Sequence, residues 1–489
     1  MTGAAIALTA IFAIITVGAF VGIYAGSHRK MDLEQWTVGG RGFSLILVWL
    51  LMAGEIYTTF TFLGGSGWAY SKGAPVLYIL AYQPLMYVVS FFILPQIWEL
   101  GHQHRLQTQP DFFKVRYGSK YLEAFVALAG VAFMIPYLQI QITGLGVIVE
   151  VASYGAIHRV PAMVISFTIV AAFVLTSGVR GVAWVSVIKD LLLLFTAVFI
   201  GFAIPHHYFG GIGRMLTALA LAKPQHMVMP GSTPDLGHSW FVTTVIMVAC
   251  SFYMWPQYFG AAFTAKSADT LRRNAVVMPL YSATVPLMFF VGFTAVLVLP
   301  NLPNENLSLL TLVRQTFPAW FLGVIGGAGA LTAMVPAAIQ VLTAATLFIK
   351  NFCRPMLAPS LSDFHVARFA KVTVLILTAL TLYFAIYRPA SLVSLLLIGY
   401  AGVSQFFPGV VFGLFSKRVN AAGVFAGMVA GVAIASSLML TNHDPYKGLN
   451  AGFLALCCNL AIVTLATLLR PATVPAPSDA VPLPKTSPA

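Results

Sequence analysis

The sequence predicts an all-α protein that crosses a membrane thirteen times, its core two five-helix halves in inverted repeat, with one extra helix before the core and two after. Three observations carry that expectation: near absence of charge, apolar runs of membrane-spanning length from end to end, and two interrupted spans at matched positions. Of 489 residues 59% are hydrophobic and 8% charged, whereas soluble domains are about a quarter charged.

Apolar runs of about 20 residues, enough to cross roughly 30 Å of hydrocarbon, begin near Ala5, Leu45, Pro75, Tyr121, Val160, Gly181, His238, Arg273, Pro318, Val366, Ala390, Ala421 and Gly448. Several are long enough to imply tilt or a break. Residues 1–469 read as one transmembrane domain with core repeats over about 43–204 and 238–415, and 470–489, rich in Pro, Ala and Ser, as a disordered cytoplasmic tail. The loop from Pro205 to Gly237 shows no regular motif and reads as a cap over the outer mouth.

The net charge of +13 is spread in a pattern that excludes a nucleic-acid partner. Nineteen Lys and Arg, among them Arg41, Arg105, Lys114, Arg116, Arg180, Lys350 and Arg354, fall on one side of the alternating loops; only Lys72, Arg159, Arg214, Lys223, Arg314, Arg388 and Lys447 fall on the other. This positive-inside bias places the N-terminus in the periplasm and the C-terminus in the cytoplasm of a bacterial inner membrane. Met1–Gly26 lacks a basic leader and reads as a retained anchor. Cys250, Cys353, Cys457 and Cys458 lie in or beside spans and read as core residues rather than disulfides. The histidine pairs His102/His104 and His206/His207 have no third ligand at metal spacing. No nucleophile stands beside a base, so neither an enzyme nor a cofactor is expected. Oligomeric state is not legible.

Two spans are broken by composition. The second contains Leu63-Gly64-Gly65-Ser66-Gly67 just after Thr58, Thr59 and Thr61; the seventh contains Trp255-Pro256-Gln257. Such breaks free backbone groups that only protein or a water-lined cavity can satisfy, and paired breaks in corresponding spans point to a mid-membrane site between inverted halves. Either break alone also fits a proline kink or close helix packing.

Asp32-Leu-Glu-Gln-Trp-Thr-Val-Gly-Gly-Arg-Gly42, Phe112-Phe-Lys-Val-Arg-Tyr-Gly118 and Gln405-Phe-Phe-Pro-Gly409, continuing to Gly423, resemble in order the solute:sodium symporters, a family with a LeuT-like core. Gly54-Glu55-Ile-Tyr57-Thr58-Thr59, Trp255 to Lys266 and Met334-Val-Pro-Ala-Ala338 are similar to bacterial monocarboxylate permeases, importers of lactate and pyruvate. The resemblance implies a cation-coupled symporter taking up a small organic anion across the bilayer by alternating access.

It also implies where a sodium ion would lie: on the carbonyls of Gly54 and Tyr57, a carbonyl at Thr332, and two hydroxyls that here fall on Val335 and Pro336. Neither residue has a side-chain oxygen, and Asn351 replaces the usual Asp at that helix end. Where sodium-coupled members often have Asp, this chain has Ser186, with Lys189 and Asp190 one turn on. An intramembrane lysine is a functional candidate by default, since a desolvated amine can alternate charge state; the competing reading has it snorkel to the headgroups. Glu55 is the other intramembrane ionisable group, either pairing with Lys189 or carrying a proton itself. These residues point to H+ rather than Na+ as coupling ion. For the anion's carboxylate, the half-helix beginning at Tyr57 offers N-H groups and the Thr58 and Thr59 hydroxyls, while Tyr137, Gln139, Tyr253, Trp255 and Gln257 would close a small pocket. Two alternatives stay open: a sodium-coupled carrier of proline, acetate or pantothenate, and a transporter-like membrane sensor.

Overall fold

The computed structural model describes residues 2–27 and 38–470, without the side chains of 25–27 and 176–180. The tail from 471, most of the Asp32–Gly42 motif and the Arg180 side chain lie outside the described residues. The described chain is helical apart from short connections. Ten of its helices are long and apolar enough to cross a membrane, and twelve if each of two bent pairs is one span. The span expected from Val160 corresponds to a shorter apolar stretch, Arg159–Leu175.

The bent pairs are the two composition breaks. Helix α2 (Leu45–Ile56) ends at Tyr57, whose ψ of 87° leaves the helical region; a π turn (Phe60–Gly64) and α3 (Gly65–Ser71) follow at 50°. The threonines explain the stop: the Thr58 hydroxyl takes the Phe60 N-H, competing with the helical ladder. Next come α4 (Tyr78–Gln103), the short α5 (Gln109–Tyr117) and α6 (Lys120–Ala152).

Helix α7 runs from Arg159 to Phe209. The sequence predicts two spans here, from Val160 and Gly181, yet the backbone stays helical throughout. At 1.5 Å per residue a straight helix would separate Phe173 from Val185 by about 18 Å. A Cβ added at Gly22 of α1 (Gly3–Ser27) would meet both within 3.1 Å. The helix therefore bends sharply between them, separating a shorter apolar arm, Arg159–Leu175, from Gly181–Phe209, which is long and apolar enough to cross a membrane.

The loop from Pro205 to Gly237, without a regular motif in sequence, holds an eleven-residue helix, α8 (Ile212–Ala222). Its amphipathic pattern lies among Gly and Pro, which hid it. The loop rests on the end of α3: Ser232 N-H donates to the Lys72 carbonyl at 3.0 Å.

The second half begins with α9 (His238–Ser251) and α10 (Pro256–Ala262), bent by 54°. Trp255 takes ψ 130°, the extended conformation a following proline imposes. The span expected from Arg273 divides into α11 (Ala268–Ser282) and α12 (Val285–Val298), where Pro286 has no N-H to continue the ladder. Then follow α13 (Ser308–Thr316), α14 (Ala319–Thr346, continuing through π turns to Cys353), α15 (Asp363–Tyr387), α16 (Leu392–Val403) and α17 (Phe407–Phe415). Helices α18 (Ala421–Leu440) and α19 (Ala451–Leu469) pair outside the core.

Helix α14 is the most enclosed span and carries a glycine seam for α1. Cβ atoms at Gly323, Gly326 and Gly327 would clash with Ala10, Ile11 and Ile14 at 2.5–2.7 Å, so the two backbones meet closely. At one face of the molecule the halves are stitched together, Phe43 N-H donating to Thr264 O and Lys266 N-H to Phe43 O. Arg41, Lys114, Arg116 and Lys350 gather at this basic face around α5.

Candidate functional site

The two breaks lie against each other. From α10, Tyr258 donates to the Glu55 carbonyl at 2.6 Å; from α6, Tyr137 reaches it at 3.2 Å, the two hydroxyls being 2.8 Å apart. Tyr137 also packs on Trp255 (ring centroids 4.8 Å), and Trp255 on Tyr400 of α16 (5.4 Å). An aromatic wall closes the break.

On the other side of α2 stands Lys189 from α7, fully buried and thus not snorkelling. Its ammonium donates to Gly54 O at 2.7 Å and Tyr57 O at 3.2 Å, and pairs with Asp190 Oδ1 at 3.0 Å. All three N-H groups are used. Asp190 Oδ1 also accepts the Tyr281 hydroxyl at 2.9 Å, and the Tyr281 ring packs tilted against Tyr57, centroids 4.1 Å apart. An ammonium thus sits on the two carbonyls that the resemblance assigns to sodium. Thr332, buried on α14, turns its hydroxyl to Ala328 O, and Val335 and Pro336 supply no side-chain oxygen. A sodium ion does not fit this donor set.

Glu55 does not pair with Lys189 among the described residues. Successive helical positions differ by about 100°, so the carbonyls facing α7 and the Glu55 side chain diverge. That side chain enters a cavity of about 30 Å³ between α2, α10 and α14, lined also by Gln107, Thr108, Gln257 and Thr346. Both Glu55 carboxyl oxygens, both Gln257 amide atoms and Gln107 Oε1 are buried without a hydrogen bond in the protein. Orphans of this kind mark a place built for a guest.

The cavity floor, at the basic face, is a network the sequence did not single out. Asp111 Oδ2 accepts Lys350 at 2.6 Å and the N-H groups of Gln107 and Thr108; Asn351 Nδ2 donates to both Asp111 (2.7 Å) and Glu123 (2.8 Å), and Asn351 Oδ1 accepts Thr108 (2.8 Å). Gln109 reaches from this floor to the Met254 carbonyl at the second break, 2.7 Å away.

Of the expected pocket residues, Tyr137, Tyr253, Trp255 and Gln257 gather at the breaks. Thr58 caps the outer half-helix, and Thr59 bonds Gln141 Oε1 of α6 at 2.7 Å. The Tyr57 ring turns toward Tyr281. Gln139 is placed apart, its amide bonded to the Phe384 and Arg388 carbonyls of α15. Tyr258, two residues beyond Pro256, was within reach of the break motif. Tyr281 was not, lying in what reads as a plain apolar run.

The family model described as "Sodium:solute symporter family" matches residues 36–431. The chain belongs to the sodium:solute symporter family. Among the family's proteins it is 42% identical over 476 residues to the uncharacterized symporter YhjB of Bacillus subtilis, covering 95% of this chain and 97% of that protein. It is 27% identical to a monocarboxylate transport permease protein of Rhizobium johnstonii, over 95% of this chain and 96% of that one. Its fold resembles that of a Na+-coupled sialic acid symporter in a substrate-bound outward-open state, with TM-score 0.78, 18% identity, and coverage of 95% and 97%. This symporter is a multi-pass membrane protein with the LeuT-like inverted repeat, a transporter and not an enzyme.

Proposed function

We propose that this symporter imports small monocarboxylates such as lactate or pyruvate with protons rather than sodium. The observation that carries the reading is the Lys189 ammonium on the Gly54 and Tyr57 carbonyls, 2.7 and 3.2 Å away. A monovalent cation that would bind and leave is here replaced by one covalently attached. The coupling proton then needs another carrier, and Glu55 suits: among the described residues its carboxyl oxygens have no hydrogen-bond donor to answer a charge, and bare burial of a carboxylate is costly.

The monocarboxylate reading rests on the likeness to the permease and on size. The walls between the breaks (Tyr137, Tyr253, Trp255, Gln257) are all at most 2% exposed, so only a small solute enters without large rearrangement. Its carboxylate would lie at the start of the outer half-helix near Thr58, where backbone N-H groups favour an anion. The excess of Lys and Arg in the loops around α5 supports a reading with the basic face in the cytoplasm of the inner membrane and the N-terminus in the periplasm. The Glu55 cavity then opens inward, letting the proton leave there.

Purified protein in liposomes, given an inward proton gradient or an inward sodium gradient separately, tests this. Lactate or pyruvate should accumulate with the proton gradient and not with sodium. Accumulation under sodium alone would refute it.

A further inference from the structure

On the face opposite α5, a cavity of about 400 Å³ opens above the outer half of the first broken helix. Lys72 at the end of α3, Arg159 at the start of α7 and Glu305 before α13 line it, together with Ser391 and Ser394 at the start of α16. None of the three charged side chains has an ion-pair partner among the described residues. This side of the molecule has only seven Lys and Arg in its loops, and two converge here.

Two contacts lie beneath the cavity. Trp68 of α3 donates from its indole to Ser391 Oγ at 3.3 Å, and Gly67 lies so close to the Glu305 backbone that a Cβ would come within 3.0 Å of its carbonyl. Behind Trp68, the rings of Tyr78 (edge-on) and Trp240 (tilted) pack at 5.9 and 6.0 Å. A layer of aromatic rings headed by Trp68 therefore lies between the two unpaired cations and the first break.

We propose that this cavity is an anion-receiving antechamber. It takes a small carboxylate between Lys72 and Arg159 before the Trp68–Ser391 contact opens. Glu305 weakens the hold, so the anion is passed on rather than trapped. The proposal rests on the orientation and the substrate class given above.

Three substitutions test it with opposite signs. In protein carrying S394C, the modification rate of the added thiol is read with an anionic and a cationic methanethiosulfonate. K72Q and R159Q should each lower the anionic-to-cationic ratio about two- to fivefold, the effect of one partly exposed charge, and E305Q should raise it. Lactate should slow modification of the S394C protein, and less so once K72Q or R159Q is added. In uptake, K72Q and R159Q should raise the KM for lactate by a similar factor with turnover unchanged, and E305Q should lower it. Ratios and KM that all three substitutions leave unmoved would overturn the antechamber, and protection by chloride equal to that by lactate would overturn its assignment to carboxylates. A protein protected by lactate yet showing no proton-driven uptake keeps the antechamber and loses the proposed function; proton-driven uptake with no protection does the reverse.

Discussion

In the proposed function, Lys189 and Glu55 divide between them what a bound sodium ion would do, holding the broken helix and carrying charge. Removing the Lys189 amine leaves Gly54 O, Tyr57 O and the buried Asp190 carboxylate facing one another. Breaking a buried pair from one side costs about 3–5 kcal/mol, so Lys189→Ala should lower the melting temperature markedly. The remaining oxygens are those a hard cation prefers. Sodium should therefore raise the Tm of Lys189→Ala while leaving the wild type unchanged; equal responses would count against the ammonium standing in for sodium. Glu55→Gln keeps the shape and removes the proton, so gradient-driven accumulation should vanish while lactate exchange persists. Accumulation at the wild-type level would remove Glu55 from coupling. Sequence disclosed both residues, because an ionisable group in an apolar run is conspicuous. It did not disclose their partners: Lys189 reaches 135 residues back to Gly54 and Asp190 meets Tyr281 91 residues on, and such pairings leave no local signature.

At the scale of elements, α5 is a latch between the end of α14 and the start of α6. Asn351 makes it possible, since one amide can donate to two carboxylates where an Asp would add a third negative charge. Asn351→Asp should destabilise the closed floor and speed cytoplasmic labelling of a cysteine placed at Thr346; unchanged labelling would dismiss the latch. Burial alone would raise the Asp111 pKa, but the Lys350 ammonium, the Gln107 N-H and the Asn351 amide outweigh it and hold it below the ordinary carboxylate value. A depressed native pKa stabilises above the unfolded value, near 4, and that contribution is lost only as pH falls through the lower native one. The Asp111 contacts of the latch should thus hold at pH 5; in Glu123→Gln protein, where the other carboxylate of the network no longer titrates, labelling that rises between pH 7 and 5 would contradict this. The seam between α1 and α14 makes a separate prediction: Gly327→Val meets Ile14 and should cost about 1–3 kcal/mol by overpacking, read as a lower Tm. The helix breaks were legible because Pro256 and the Gly64–Gly67 run act on the backbone directly. The division of α7 into two apolar arms was legible as two spans, from Val160 and Gly181, but the unbroken helix joining them was not, and packing of both arms on Gly22 reveals the bend.

Across the whole molecule, matched breaks in two halves let one small site be closed from either face by different parts. Here both closures are in place: the Trp68–Ser391 contact on one side, the Asp111–Asn351 floor on the other. The tether on Lys189 has a consequence for energetics. An ion that dissociates adds its charge to every turnover, whereas an ammonium fixed to α7 returns with the empty carrier. If one proton and one monocarboxylate cross together, as the proposed function has it, they form a neutral pair, and the membrane potential does no net work over the cycle. Such a carrier would be electroneutral. With the pH gradient held constant, clamping the potential with potassium and valinomycin should leave initial uptake rates unaltered, so a cell that has lost its potential but still keeps an alkaline interior would go on feeding.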